Sequence, residues 1–270
     1  MFGKLLKYDF RSMLKQFAFI WPAALVLAVI NRFTFSGLES SSAVGETTAG
    51  ITMLVYVAIL IAMFVITMIF VIQRFFKGLL GDEGYLMHTL PVRPWQLIGS
   101  KLLCAVVTTV LSIVVAICSI LLIVPWNDVN WGEIFAGLRY VLTHWNTYAT
   151  HSVLYLLEFL VLICVGTAQG YLQLYLAMAV GHLFNKNRVA MSVVAYIAIN
   201  AAFSALLGLL GNAGFRTGFF DIFNNAEFFA SHPAATVHTA FLTAILSAAL
   251  IGGVYFAGTE YILRKKLNLE

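Results

Sequence analysis

Apolar residues run through this chain in long blocks, and polar residues gather in short clusters between them. Six blocks stand out, at about 17–35, 50–72, 97–125, 152–184, 189–210 and 237–263. Each reaches the roughly 17–25 apolar residues that a helix needs to cross a bilayer. The second block carries no charge at all. The pattern predicts an all-α integral membrane protein with six transmembrane helices. The fourth block is longer than a bilayer requires, so it is expected to tilt, bend or project into the cytoplasm.

The clusters between the blocks carry patterns of their own. Residues 1–16 place Phe2, Leu6, Phe10 and Met13 on one helical stripe, continued by Phe17, with Lys4, Lys7, Arg11 and Lys15 opposite. This predicts an N-terminal interfacial helix, its cations at the level of anionic headgroups. Residues 127–151 are polar and aromatic, which suits a segment at the membrane–water interface. In 211–233, phenylalanines alternate with polar residues, as in short helices dipping into the interface. Between the second and third blocks, Asp82 can cap a short helix whose N-terminal dipole Glu83 complements. Tyr85, Leu86, Thr89 and Leu90 fall on helical spacing, Pro91 ends the helix, and Pro94 suits the first turn of the next. Residues 81–91 therefore read as a short, rigid helix at the membrane surface.

Composition sharpens this picture. The chain is 61% hydrophobic and 10% charged, with a mean hydropathy of +0.91, which excludes a soluble globular protein of this length. All 270 residues are read as one transmembrane domain. The net charge of +4 is explained by its distribution. Lys4, Lys7, Arg11, Lys15, Arg74, Lys77, Arg93, Lys101, Lys186, Arg188, Arg264, Lys265 and Lys266 fall on one side of a six-span topology; Arg32, Arg139 and Arg216 fall on the other. The positive-inside rule then places both termini and the 81–91 helix in the cytoplasm, in a cell membrane. No nucleic-acid partner is needed to explain the basic balance; the expected surroundings are membrane lipids. Cys104, Cys118 and Cys164 all lie in apolar blocks and read as small buried hydrophobes.

The usual enzyme signatures are missing. Gly99-Ser100-Lys101 lacks the upstream glycine and residue order of a phosphate-binding loop, and neither a Gly-x-Ser-x-Gly elbow nor a His-Glu-x-x-His pair occurs. The expectation is a chain that is not itself an enzyme, with no catalytic residue, metal or cofactor of its own. Glu158 is an acidic residue inside the fourth block, where an unpaired charge costs ~2.5–3.5 kcal/mol at the bilayer centre. It is expected to line a path, to pair with an outer residue such as Arg139, or to reach interfacial water. Gln169, Gln173 and Asn200 lie deeper, and would bond between helices or line the same path. Gly166 and Gly170, with Gly253 in an Ala249-Gly253-Ala257 repeat, mark expected close helix contacts.

Asp82-Glu83, Tyr85-Leu86, Leu90-Pro91-Val92 and the following Gln96-Leu97-Ile98-Gly99-Ser100-Lys101-Leu102-Leu103 resemble the cytoplasmic loop between the second and third spans of type-2 ABC transporter permeases. The local match covers about two dozen residues, and the six-span layout extends it along the chain. The resemblance implies that Asp82, Glu83, Tyr85, Leu86, Thr89, Leu90 and Pro91 form a coupling helix. In that family this helix docks into a groove of a separate ATP-binding subunit, which holds the ATP and Mg. It also implies that the N-terminal helix touches the ATPase, and that the segment before the last span is an outer re-entrant hairpin. A second permease copy, in a homodimer or close heterodimer, would complete the path. The implied function is export of amphipathic peptides or other hydrophobic substrates. The alternative is an ion-coupled secondary transporter using Glu158.

Overall fold

The computed structural model describes residues 2–36, 43–81, 93–123, 131–143, 150–184, 187–216 and 233–265. Among them every regular element is helical: α1 (Phe2–Ser36), α2 (Ala43–Phe75), α3 (Pro94–Ile123), α4 (Trp131–Thr143), α5 (Thr150–Gly181), α6 (Arg188–Arg216) and α7 (Pro233–Lys265). Six of these, all but α4, are long and apolar enough to cross a membrane. The expected coupling helix at 81–91 and most of the expected re-entrant segment lie outside the described residues.

One expectation changes at the N-terminus. The interfacial helix and the first span form a single helix of 35 residues, about 50 Å long at 1.5 Å per residue. Residues 14–20 contain neither glycine nor proline to end it, and Pro22 removes only one backbone donor within a helix already formed. The buried face of α1 is Asp9, Met13, Phe17, Ala24, Ala28 and Asn31. Asp9, not the Phe10 of the expected apolar stripe, is therefore buried alongside Met13 and Phe17.

The second span also runs further than its apolar block. Helix α2 reaches Phe75 and passes directly into a π-helical stretch, Phe76–Leu80, with Gly78, Leu79 and Leu80 buried. Gly81 N–H closes it on the Phe76 carbonyl at 2.7 Å. A side chain at Gly81 would lie only 3.3 Å from the Lys77 backbone, so glycine permits this tight exit. Pro94 opens α3 as a proline at the first helical position should. Gln96 secures that start, its side-chain oxygen accepting from Arg93 N–H at 3.3 Å, half of a capping box.

The chain divides into two compact units, Met1–Arg74 with Gly99–Trp145, and Phe75–Ile98 with Asn146–Glu270. In the first, α1, α2 and α3 are joined at several levels. Phe17 stacks on Trp21 at 5.2 Å and meets Phe70 edge-on at 5.7 Å. Trp21 Nε1 donates to Ser112 Oγ at 3.1 Å, Asn31 Nδ2 to the Thr52 carbonyl at 3.2 Å, and the Tyr56 and Ser119 hydroxyls meet at 2.8 Å. Such interhelical bonds contribute about 0.6–2 kcal/mol each in a membrane. Helix α4, 13 residues long, belongs to this unit and is too short to span; it occupies the stretch read as an interfacial segment.

In the second unit α5 packs along α7 and against α6. Contacts advance together on α5 and α7: Glu158 meets His238, Gln169 lies beside Gly252, and Leu176 beside Gly258. The two helices therefore run parallel. The α5–α6 hairpin is tight, and Asn187 adopts a left-handed φ of 55°, which asparagine tolerates better than most residues. Its carbonyl accepts from Met191 N–H at 3.0 Å, starting α6.

Candidate functional site

Two polar constellations stand out from the apolar helices, one in each unit. In the first unit Asp9 is 2% exposed and meets residues from both helices that flank residues 82–92 in the sequence. Arg74, near the end of α2, donates to Asp9 Oδ1 through Nε at 3.1 Å and through Nη2 at 2.5 Å. Its Nη1 donates to Ser12 Oγ at 3.1 Å. From the first turns of α3, Ser100 Oγ donates to Asp9 Oδ2 at 3.2 Å, and Lys101 Nζ lies 3.7 Å from Oδ1. A carboxylate this dry is tolerated because both oxygens are hydrogen-bonded and two cations face it. Cys104 packs one turn further along, its thiol 3.8 Å from the Leu6 carbonyl.

The residues next to this cluster in sequence belong to the second unit. Phe75 stacks on Tyr175 of α5, ring centres 3.9 Å apart and planes 8° from parallel. Phe76 meets His182 edge-on at 4.9 Å. His182 Nδ1 lies 3.1 Å from the Met178 carbonyl, so a neutral imidazole with its proton on Nδ1 satisfies that contact. Burial chiefly, and then the charge of Arg188, holds the His182 pKa below its ordinary 6.5, against an opposing pull from the Met178 carbonyl. In the first unit Arg74 ties α2 to α1; in the second, Phe75 stacks on α5 and Phe76, the first residue of the π-stretch, meets His182.

The second constellation lies where α5 and α7 begin. His238 Nδ1 and Glu158 Oε1 are 2.7 Å apart, with the two side chains 19% and 17% exposed. Tyr155 packs its ring 4.6 Å from the imidazole, and its hydroxyl donates to the Ala234 carbonyl at 3.4 Å. Glu158 Oε2 is buried with no hydrogen-bond partner among the described residues. An ion pair with an outer residue such as Arg139 was one of three expectations for Glu158; the pair seen is with a histidine on α7, brought alongside by the parallel packing of the two helices.

The other path candidates are not gathered around Glu158. Gln169 lies along the same seam, beside Gly252, and Gln173 is buried. Asn200 is exposed and donates to the Tyr196 carbonyl of its own helix at 3.0 Å, so the expected interhelical bond is not the one it makes. The glycine expectation also needs correction. Side chains added at Gly166, Gly170 or Gly253 would meet nothing within 4 Å, whereas Gly252, Gly258 and Gly181 face neighbouring helices closely. A shift of one residue turns a helical position by about 100°, which moves the close contact from Gly253 to Gly252. Of the cysteines only Cys104 is buried; Cys118 and Cys164 are exposed. Asp82, Glu83, Tyr85, Leu86, Thr89, Leu90 and Pro91 lie outside the described residues.

Sequence reasoning missed Asp9 and His238 as site residues. Asp9 carried one available signal, an acidic residue at helical spacing with Met13 and Phe17 on the inward stripe. Compared with protein-family models, with curated proteins and with solved structures, the chain has no match.

Proposed function

We propose that this chain is the membrane-spanning subunit of a type-2 ABC exporter, coupled through its 81–91 segment to a separate ATP-binding subunit. Both termini and that segment are cytoplasmic, by the placement of lysines and arginines. The observation that carries the reading is the convergence on Asp9. Arg74 precedes the loop and Ser100 and Lys101 follow it, and all three bind one buried carboxylate on α1. A loop so tied at its base passes a push to three helices instead of absorbing it. The residues that resemble a coupling helix lie in that loop, with an acidic pair and an apolar face fitted to a partner's groove. The chain has no phosphate-binding loop, so the energy for transport comes from the partner. A second copy completes the path, and amphipathic peptides or similar hydrophobic molecules are its substrates.

The test is co-purification and ATPase assay with candidate ATP-binding subunits, comparing the native chain with Glu83→Lys plus Leu86→Asp. A complex that the double change dissolves, while the helical content of the membrane chain is unchanged, supports the reading. Failure of every candidate to bind, or binding indifferent to the loop, overturns it and directs attention to Glu158.

A further inference from the structure

Helix α1 presents one exposed face from Lys4 to Phe33, opposite the stripe that buries Asp9, Met13 and Phe17. The first half of that face is Lys4, Tyr8, Arg11 and Lys15, with Lys7 beside them; the second runs from Phe19 through Val26 to Phe33. One continuous helix joins the halves, so cations give way to apolar side chains within a single turn, between Lys15 and Phe19. Phe19 is 83% exposed. Asp9 is the sole carboxylate in residues 1–36, and it faces inward, to Arg74 and Lys101. Among the described residues, none of Lys4, Lys7, Arg11 and Lys15 forms an ion pair. The next charge along α1 after Lys15 is Arg32. One hydrocarbon thickness of ~30 Å, about 20 residues of helix, leads back from there to Ser12, between Arg11 and Lys15. These two cations therefore lie at the level of lipid phosphates. Arg74 and Lys101 reach the same level from α2 and α3, since both meet Asp9. Lys4 stands about 10 Å further out.

We propose that this face of α1 binds one anionic phospholipid, its phosphate held by Arg11 and Lys15 and its acyl chains laid along Phe19 to Phe33. Residues four apart on a helix are surface neighbours, so both cations reach one phosphate. The arginine offers its fork of donors to the phosphate oxygens and the lysine a point charge. From Phe19 to Phe33 the helix rises about 20 Å, more than the ~15 Å of one leaflet's hydrocarbon. A soluble acidic partner fits the cations but not their apolar continuation; a phospholipid fits both. A helix lying flat in the interface uses all its cations alike. Helix α1 instead continues a span, so Arg11 and Lys15 grip the phosphate while Lys4 and Lys7 stand beyond it. The site rests on α1 alone and not on the ATPase reading, so the two fail separately.

The test is native mass spectrometry of the full chain in mild detergent, titrated with palmitoyl-oleoyl phosphatidylglycerol and, separately, with the phosphatidylcholine of the same chains. The native chain should hold the first phosphatidylglycerol about 25-fold more tightly than phosphatidylcholine, about fivefold for each cation. Arg11→Gln plus Lys15→Gln should abolish that preference. Lys4→Gln plus Lys7→Gln should lower it by less than about threefold, since these cations lie outside the phosphate level. All four side chains are exposed, and circular dichroism checks that each variant keeps its helical content. Equal retention of the two lipids by the native chain overturns the proposal, as does an equal loss in both double variants, which would mark a diffuse surface charge. Displacement of the lipid by millimolar inorganic phosphate overturns it in favour of a free anion. Equal lipid retention, with Arg11 and Lys15 needed to co-purify an ATP-binding subunit, overturns it in favour of an acidic protein partner.

Discussion

Arg74 spends its whole guanidinium on α1: Nε and Nη2 reach Asp9 Oδ1 at 3.1 and 2.5 Å, and Nη1 reaches Ser12 at 3.1 Å. The arginine is 30% exposed at its side chain and the aspartate 3%, so removing the acid takes a buried counter-charge away from Arg74 and from Lys101, which is 2% exposed. Asp9→Ala should destabilise the chain by about 3–5 kcal/mol, the usual cost of breaking a buried pair from one side. Asp9→Asn, which keeps one acceptor for Arg74 and turns an amide N–H towards Ser100, whose hydroxyl can accept it, should cost less. Arg74→Lys cannot reproduce three directed donors and should also weaken the joint. Denaturant unfolding in detergent, followed by circular dichroism, measures all three. An Asp9→Ala protein as stable as the native one would remove Asp9 from the coupling argument.

The stack of Phe75 on Tyr175 carries a second prediction. Both rings are essentially buried, at 0% and 1% exposed, and they lie nearly parallel at 3.9 Å. Phe75→Ala should cost about 3–5 kcal/mol through lost contact and the void left behind. Phe75→Leu, which refills part of that space, should cost less than half as much. Because Phe75 leads into the π-stretch that ends at Leu80, the alanine variant should also speed proteolysis within 76–93. Proteolysis confined to other loops would show that the stack does not steady this segment.

The six spans were legible because hydropathy over some 20 residues outweighs any local detail. Their partners were not. Asp9 meets Arg74, and Glu158 meets His238, through helix pairings that no local pattern encodes. Periodicity put Phe10 with Met13 and Phe17 on one apolar stripe, whereas the fold buries Asp9 with Met13 and Phe17 and gives that carboxylate two facing cations. The Gly166–Gly170 spacing was read correctly as small but not as unoccupied, since spacing names a face without saying what covers it.

That last point can be tested by alanine substitution. At Gly181 a methyl group would collide with Ser192, against its hydroxyl, backbone nitrogen and Cα. Gly181→Ala should therefore open the α5–α6 hairpin and destabilise the chain by about 1–3 kcal/mol. Gly166→Ala, Gly170→Ala and Gly253→Ala meet no neighbour among the described residues and should leave stability unchanged or slightly raised, alanine being the better helix former. Melting temperature in detergent separates the two groups. Size-exclusion with light scattering adds a second readout: if a second copy packs on the Gly166–Gly170 face, those alanines shift the equilibrium towards monomer while the melting temperature of the monomer holds.

His182 gives the chain a pH dependence with a definite sign. Its pKa in the folded protein is held below 6.5 by burial first and by Arg188 second, so the unfolded chain binds its proton more readily than the folded one. The stability that His182 contributes is therefore complete above 6.5 and declines as pH falls below it, until the folded protein is protonated too. A neutral ring with Nδ1 donating to the Met178 carbonyl fits the site. Unfolding midpoints measured between pH 7.5 and 5 should fall for the native chain. For His182→Gln, which removes the titrating group, that part of the decline should vanish. An equal decline in both proteins would assign the acid sensitivity to other groups.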